Sequence, residues 1–259
     1  MKLHRYPAPI FIKRHELSMD ADWERVNRFH QATTRTPGVV APEPLEKRTI
    51  SRQIVYSRVN CSRPILKAAK DSLGTFEQFG SRLFELHANT SPSNLNIDSA
   101  FEILSRFGLT TNDALSLAKS FPFGICHGDC WHGNIFISDD NEFIVLDPLP
   151  ASLMTDWMPE KAPGCIDLAY FCASLFLRQS IIKAPLIDTT KLNRLANLTI
   201  QGYIANIESA KVAQPLNALC IQICTLWIEQ IRIRLSFPIN KLKVAALNHL
   251  HKRAFFNAN

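Results

Sequence analysis

The chain has 259 residues, of which 46% are hydrophobic and 20% are charged, and its formal net charge is +6. This composition excludes a collagen-like, low-complexity or broadly disordered protein, and a chain of this length can bury the core of one large or two modest domains. A basic excess is compatible with nucleic acid, an anionic membrane or phosphate-bearing small molecules, so charge alone does not identify a partner.

The first region, residues 1–60, predicts a small α+β unit. Residues 10–13 are predicted to form a short strand, and the β-branched and aromatic residues 54–56 predict another. Residues 39–45 are predicted to be extended, because a residue that precedes proline is disfavoured in the helical conformation. Strands and one helix in so short a span are typical of an α+β lobe.

Helices are predicted both within residues 1–60 and after residue 61. Asp20 or Asp22 is predicted to cap a helix that ends before Pro37. After residue 61 the apolar residues take helical spacing, first in Phe76, Phe79, Leu83 and Leu86, and the chain beyond Asp167 is rich in leucine, isoleucine and alanine. The second region is therefore predicted to be mainly helical, with breaks near Pro185, Pro215 and Pro238.

A polar segment at residues 126–134 differs from ordinary core sequence. Two apolar runs follow it, at 135–137 and 143–146, and they predict a β-hairpin that holds Asp129, Asn134 and Asp147 near one another. Two carboxylates and an amide are suited to phosphoryl transfer, because one carboxylate can accept a hydroxyl proton while the other and the amide bind magnesium.

The same segment resembles the catalytic loop of the aminoglycoside phosphotransferase and choline kinase family, a branch of the protein-kinase-like fold. That family has the loop H-G-D-x-x-x-x-N, an aspartate that closes the next strand, and then a glycine and an aspartate that open a helix. The residues that match these motifs in order are His127, Gly128, Asp129, Asn134, Asp147, Gly164 and Asp167.

The resemblance implies a role for each of five residues. Asp129 would be the catalytic base, or the carboxylate that orients the acceptor hydroxyl. Asn134 and Asp147 would bind Mg²⁺. Asp167 would brace the catalytic loop, and His127 would help to hold it.

The resemblance extends upstream into the nucleotide-binding region. Lys13 matches the lysine that contacts the α- and β-phosphates of ATP, and Glu24 matches its ion-pair partner, with Glu16 and Asp22 as competitors for that role. Ser57 and Val59 match the hinge residues of the family, which meet the adenine.

The implied fold is a bilobal α+β protein-kinase-like fold, with a truncated N-terminal β-lobe at residues 1–60 and a mainly helical C-terminal lobe at residues 61–259. Kinases cover the ATP phosphates with a glycine-rich hairpin that precedes the lysine strand. The first glycine in this chain is Gly38, so that hairpin is predicted to be missing or vestigial.

The predicted function is Mg-ATP-dependent phosphorylation of a hydroxyl group on a small molecule. Residues 168–259 contain 11 basic and only 3 acidic residues, which favours a neutral or anionic acceptor, such as a sugar, a glycolipid head group or a phosphorylated metabolite, over a polycationic aminoglycoside. The main alternative is a non-catalytic nucleotide-binding pseudokinase or scaffold, which the missing hairpin suggests. Phosphorylation of a protein side chain is a third possibility. No motif for nucleic-acid binding is present.

Seven scattered cysteines and an N-terminus without an apolar signal segment predict reduced thiols in a cytoplasmic protein. The longest apolar stretch contains Asp167 and is too short to span a membrane. A zinc site is disfavoured, since no second Cys-x-x-Cys pair accompanies the cysteines and histidines of the polar segment, which are Cys126, His127, Cys130 and His132.

Overall fold

The computed structural model describes residues 10–15, 18–61, 63–68, 72–91, 97–155, 158–177, 188–205, 207 and 211–234. Its strands are β1 (Ile10–Arg14), β2 (Val39–Val40), β3 (Pro44–Arg48), β4 (Gln53–Ser57), β5 (Arg63–Pro64), β6 (Phe123–Ile125), β7 (Ile135–Ile137), β8 (Phe143–Val145) and β9 (Lys161–Pro163). Its helices are α1 (Met19–Thr34), α2 (Ile65–Ala68), α3 (Gly74–Asn89), α4 (Ile97–Ser105), α5 (Thr111–Ser120), α6 (Cys165–Leu177), α7 (Thr189–Ile204) and α8 (Ala213–Arg234). Short 3₁₀ turns occupy His132–Asn134 and Ala151–Leu153.

The first sheet is antiparallel and has the strand order β1-β4-β3. Its central strand, β4, is buried at residues 54–56, as expected for β-branched and aromatic side chains between two neighbouring strands. Helix α1 covers one face of the sheet, where Met19 and Val26 pack with Ile54 in a small apolar cluster. The strands predicted at 10–13 and 54–56 are confirmed.

Helix α1 begins earlier than predicted. Ser18 occupies the N-cap position, and Asp20 and Asp22 lie inside the first turn, where the helix dipole favours negative charge. The prediction that one of these aspartates caps the helix is therefore wrong. The predicted end is confirmed, since α1 stops at Thr34, before Pro37.

The second sheet has the order β2-β8-β7-β5, and its centre is the predicted hairpin of β7 and β8. Ile135 pairs with Val145, so the residues that precede β7 and follow β8 lie side by side at the open end of the hairpin. Strand β2 runs parallel to β8, which brings part of the extended segment at 39–45 into this sheet. A third, two-stranded sheet of β6 and β9 lies next to the polar segment.

The helices after residue 61 form the larger core. Helix α3 carries the predicted apolar face and extends two residues beyond His87. It packs closely against α7 because Gly80 and Gly202 have no side chains, and a Cβ atom at either position would collide with the backbone of the other helix. Every residue of α6 except Tyr170 is buried.

The α+β organisation, with small sheets and a mainly helical second region, is confirmed. Pro215 lies in the first turn of α8, where proline is tolerated, whereas Pro185 and Pro238 lie outside the described residues. The lobe boundary at residue 60 stays a prediction. No helix within the described ranges is both long enough and apolar enough to cross a bilayer.

Candidate active site

The side chain of Asp129 is held on both of its carboxylate oxygens. Nδ2 of Asn134 donates to the backbone oxygen of Asp129 across 3.0 Å and to Oδ2 across 3.2 Å. The hydroxyl of Tyr170, on α6, donates to Oδ1 across 3.0 Å. Because Nδ2 makes these bonds, Oδ1 of Asn134 is the atom that could bind a cation. The structure thus brings Asp129 and Asn134 together, as expected.

Asp167, at the start of α6, is fully buried and accepts hydrogen bonds from the polar segment at residues 126–134. The backbone N–H groups of His127 and Gly128 donate to its two oxygens across 2.5 and 2.9 Å, and Nε2 of His87 lies 3.1 Å from Oδ2. Burial disfavours its charged form, but the hydrogen bond and charge of His87, together with His127 and the N–H of Gly128, lower the pKa of Asp167 below its usual value. An ionised Asp167 is therefore well placed to hold the loop that carries Asp129.

His127 connects the polar segment to the end of β8. Its Nε2 lies 2.8 Å from the backbone oxygen of Leu146 and must donate to it, whereas Nδ1 accepts from the N–H of Asp129 across 3.2 Å. This arrangement requires the neutral ring with its proton on Nε2. Burial accordingly lowers the pKa of His127. The ring of Phe29 also contacts it edge-on, with centroids 5.3 Å apart.

Asp147 follows β8 with a left-handed backbone, φ 55°, a conformation that aspartate tolerates better than most residues. Its Oδ1 lies 3.0 Å from Nζ of Lys13, and both side chains are partly exposed. The backbone N–H of Leu146 donates to the oxygen of Asn134 across 2.8 Å. Asn134 and Asp147 therefore share the open end of the hairpin, and Lys13 reaches the same place.

The predicted ion pair between Lys13 and Glu24 is not formed. Glu24 is exposed and its Oε2 lies 3.4 Å from Nη1 of Arg28, whereas Asp22 is buried and faces β1. The physical reason is helical phase, because two residues correspond to a rotation of about 200° around the helix axis. The remaining competitor, Glu16, lies outside the described residues.

The predicted hinge residues lie at and just beyond the end of β4. Ser57 and Glu43 are joined by two hydrogen bonds. The backbone N–H of Glu43 donates to Oγ of Ser57 across 2.8 Å, and the backbone N–H of Ser57 donates to the carbonyl oxygen of Glu43 across 2.9 Å. Val59 is half-buried in the segment that follows. Their contact with adenine stays a prediction.

The cysteines and histidines of the polar segment have separate partners. Sγ of Cys126 donates to the oxygen of Ala162 across 3.5 Å. Nδ1 of His132 lies 3.1 Å from Oγ of Ser174, on α6, while Cys130 is buried in the core. Trp131 lies against Gly133, where it leaves no room for a Cβ atom.

Reasoning from sequence missed two residues that contact the polar segment, Tyr170 and Arg25. Tyr170 lies three residues after Asp167, so both face the same side of α6. Arg25 is fully buried, and its Nη2 donates to the backbone oxygens of Cys126 and, across 3.5 Å, His127. Burial lowers the pKa of Arg25, an effect opposed chiefly by nearby Glu160. The available sequence signal for Arg25 was its position on the apolar face of a predicted helix.

No protein-family model matches the chain, and no curated protein matches it significantly in sequence. Solved structures do match. An ethanolamine kinase of Plasmodium vivax is 12% identical with a TM-score of 0.56, and the match covers 96% of this chain and 77% of that one. A glucosamine kinase in complex with glucosamine, ADP and inorganic phosphate is 14% identical with a TM-score of 0.53, covering 93% and 72%. A choline/ethanolamine kinase family protein from Mesorhizobium loti is 11% identical with a TM-score of 0.52, covering 93% and 86%.

Identities this low show a shared fold. The expected resemblance to small-molecule kinases of the protein-kinase-like fold is confirmed at that level, and the chain has the fold of these small-molecule kinases.

Proposed function

We propose that this chain is a phosphotransferase that moves the γ-phosphoryl group of ATP to a hydroxyl group of a small molecule. The observation that carries the proposal is the convergence of Asp129, Asn134 and Asp147 around one hairpin, with Lys13 against Asp147. The fold that the chain shares with small-molecule kinases also supports a phosphotransferase function.

The nucleotide side of the site consists of Lys13, Asn134 and Asp147. The carboxylate of Asp147 and Oδ1 of Asn134 are hard oxygen ligands of the type Mg²⁺ prefers, and both belong to the open end of the hairpin. Bound Mg²⁺ would offset the negative charge of the ATP phosphates during transfer. Lys13 would then contact the α- and β-phosphates, and Ser57 and Val59 would meet the adenine. Residues 1–60 are proposed as the nucleotide-binding lobe.

The acceptor side of the site is centred on Asp129. Its carboxylate would orient the acceptor hydroxyl and accept its proton, while Asn134 and Tyr170 keep both oxygens in place. His127 and Asp167 would hold the loop from behind. Residues 61–259 are proposed as the lobe that contains this catalytic and acceptor-binding machinery.

A neutral or anionic acceptor is proposed because acidic residues are scarce in the last third of the chain. Of the three acidic residues after Asp167, Asp188 is already used, since it caps α7 by accepting from the N–H of Lys191 across 3.1 Å. Glu229 is exposed on α8, and Glu208 lies outside the described residues. Sugars and phosphorylated metabolites are therefore favoured over polycationic aminoglycosides.

The test is ADP release from Mg-ATP in the presence of a panel of sugar, amino-alcohol and phosphorylated hydroxyl compounds. Asp129→Asn should lower turnover by about 10²–10⁴-fold, because the proton acceptor is lost. Asp147→Ala should abolish turnover, because a magnesium ligand is lost. Asp140→Asn is the matched control, since Asp140 is an exposed carboxylate in the turn between β7 and β8. Unchanged turnover in either active-site variant, or no wild-type ADP release with any acceptor, would contradict the proposal.

The alternative function is a nucleotide-binding pseudokinase. It is motivated by the predicted lack of a glycine-rich hairpin before the Lys13 strand, a prediction that falls on residues 1–9 and so lies outside the described residues. A thermal-shift titration separates the two functions. The enzyme is expected to be stabilised by ATP only with magnesium and to release ADP, whereas a pseudokinase would bind without turnover.

A cytoplasmic location is also part of the proposal. All seven cysteines are free, which agrees with a reducing compartment.

A further inference from the structure

A buried carboxylate of α1, Asp22, contacts two other elements. Its Oδ2 lies 2.9 Å from Nδ1 of His15, the residue after β1. Ser152 donates its backbone N–H to Oδ1 across 2.9 Å and its hydroxyl to Oδ2 across 3.0 Å. Asp22 and His15 are only 1% and 4% exposed, so a hydrogen bond lost between them is costly. We call these three residues the His15–Asp22–Ser152 network.

The network lies on the same side of β1 as Lys13. Residues two apart on an extended chain point to the same face, and the backbone stays paired at His15, whose N–H donates to the oxygen of Arg52 across 2.8 Å. Lys13 contacts Asp147, and the network holds Ser152. One face of β1 therefore holds both ends of the segment 147–152.

That segment is stiff. Pro148 and Pro150 have fixed φ angles, and the N–H of Leu153 donates to the oxygen of Pro150 across 2.9 Å. Two of the six residues of this segment are prolines, which restricts local bending. A displacement at Ser152 is therefore expected to reach Asp147.

The helical carboxylate expected to pair with Lys13 was Glu24, which instead faces outward. The buried carboxylate of α1 is Asp22, and its partners belong to β1 and to the segment after Asp147. We propose that Asp22 is a positioning residue that works through Ser152 to keep Asp147 in its magnesium-binding position. This inference rests on the proposed function of Asp147.

The test compares Asp22→Asn with Glu24→Gln, which removes the same charge from the exposed face of the same helix. Asparagine offers one acceptor oxygen to the three donors that Asp22 now satisfies, so at least one hydrogen bond is lost. The magnesium concentration for half-maximal turnover should rise by about tenfold in Asp22→Asn, a typical cost of removing an outer support of a metal ligand. Glu24→Gln should stay at the wild-type value.

Two further measurements separate positioning from general destabilisation. Ser152→Ala loses only the hydroxyl bond, so it should shift the magnesium dependence in the same direction by a smaller factor, with an unchanged KM for the acceptor. Hydrogen exchange at the amide of Ser152 should be faster in Asp22→Asn than in the wild type or Glu24→Gln. Equal magnesium dependence in Asp22→Asn and Glu24→Gln, or unchanged exchange at Ser152, would overturn the inference.

Failure of the proposed function would give a different result. In that case the wild-type chain would release no ADP, but magnesium-dependent stabilisation by ADP and exchange at Ser152 remain measurable. A reduced magnesium response together with faster exchange in Asp22→Asn would then still support the network. If Asp22→Asn does not fold, Ser152→Ala decides the question, and a wild-type magnesium response in that variant overturns the inference.

Discussion

The hydroxyl of Tyr170 donates a hydrogen bond to Oδ1 of Asp129 across 3.0 Å, and the tyrosine ring stacks on Trp227 with centroids 4.8 Å apart. Tyr170 is the one residue of α6 that is not buried, and it follows Asp167 by one turn. Helix α6 therefore holds the polar segment twice, at its backbone through Asp167 and at the carboxylate of Asp129 through Tyr170.

Replacement of Tyr170 by phenylalanine removes the hydroxyl and keeps the ring that stacks on Trp227. The carboxylate of Asp129 then loses one of its two side-chain donors and can rotate away from the acceptor. We expect kcat to fall by about tenfold, because small misplacements of catalytic groups are costly, while the free energy of unfolding falls by only about 0.5–1.5 kcal/mol. Steady-state kinetics and urea unfolding measure the two effects, and an unchanged kcat would exclude a positioning role for the hydroxyl.

Replacement of Lys13 by methionine should separate function from stability. Lys13 and Asp147 are a third to a half exposed, so their ion pair contributes little to folding, about 0–1 kcal/mol. A hydrogen bond to a charged group contributes about 1.5–3 kcal/mol. Loss of the cationic side chain that contacts the ATP phosphates should therefore lower kcat/KM for ATP by roughly 10–100-fold.

Lys47→Met is the matched control for Lys13→Met. Lys47 lies on β3, in the same sheet as Lys13, and its side chain is similarly exposed. Its Nζ forms an ion pair with Oδ1 of Asp20 across 2.7 Å. ATP kinetics should not change in this variant. Equal losses in the two lysine variants would show that charge on the sheet, and not a contact of Lys13 with phosphate, determines nucleotide use.

Local patterns predicted the hairpin of β7 and β8 and the helices α1 and α3, because each depends on residues close in sequence. The pairing of β2 with β8 and of β6 with β9 joins residues from 36 to 104 positions apart, and no local signal marks such partners. The hairpin and motif spacing predicted that Asp129 lies near Asn134, as the structure has them, whereas the contact of Asp147 with Lys13 was not predicted.

The sequence alone could not decide whether Asp22 or Glu24 is the carboxylate of α1 that faces β1. Both acidic residues lie early in α1, and only the rotation of the helix about its axis decides which one faces β1. That rotation is set by packing of Met19 and Val26 against the sheet. Arg25, one position from Val26, is buried by the same rotation and donates to the backbone oxygen of Cys126 in the polar segment.

The cysteines give a prediction about reactivity. Six of the seven are buried, and burial raises the pKa of thiols such as Cys126, Cys130 and Cys165, which keeps them protonated and unreactive. Cys61 is partly exposed, although burial raises its pKa as well. A thiol reagent should therefore label Cys61 slowly in the folded protein and the other six only after unfolding, and Cys61→Ser should remove the labelling of the folded state. Mass spectrometry of the native protein would contradict this if a second cysteine were modified.

His127 should make stability depend on pH on the acidic side of neutrality. Burial lowers its pKa in the folded protein, so the ring stays neutral there while the unfolded chain takes up a proton below about pH 6.5. The unfolded state then binds more protons, and the free energy of unfolding falls as pH decreases from about 7 towards the folded pKa, with a slope of at most about 1.4 kcal/mol per pH unit from this one group.

The variant His127→Gln isolates this contribution from the other histidines. Glutamine can still donate a hydrogen bond towards Leu146 but does not titrate, so its free energy of unfolding should depend less on pH than that of the wild type. The stability difference between the two proteins should be largest near pH 7 and should narrow as the pH falls to 5. Urea unfolding at several pH values measures it, and parallel curves for the two proteins would contradict the prediction, because they would mean that folding leaves the pKa of His127 unchanged. A lowered pKa agrees with the hydrogen bond that Nδ1 of His127 accepts from the N–H of Asp129, since that bond requires Nδ1 to be unprotonated.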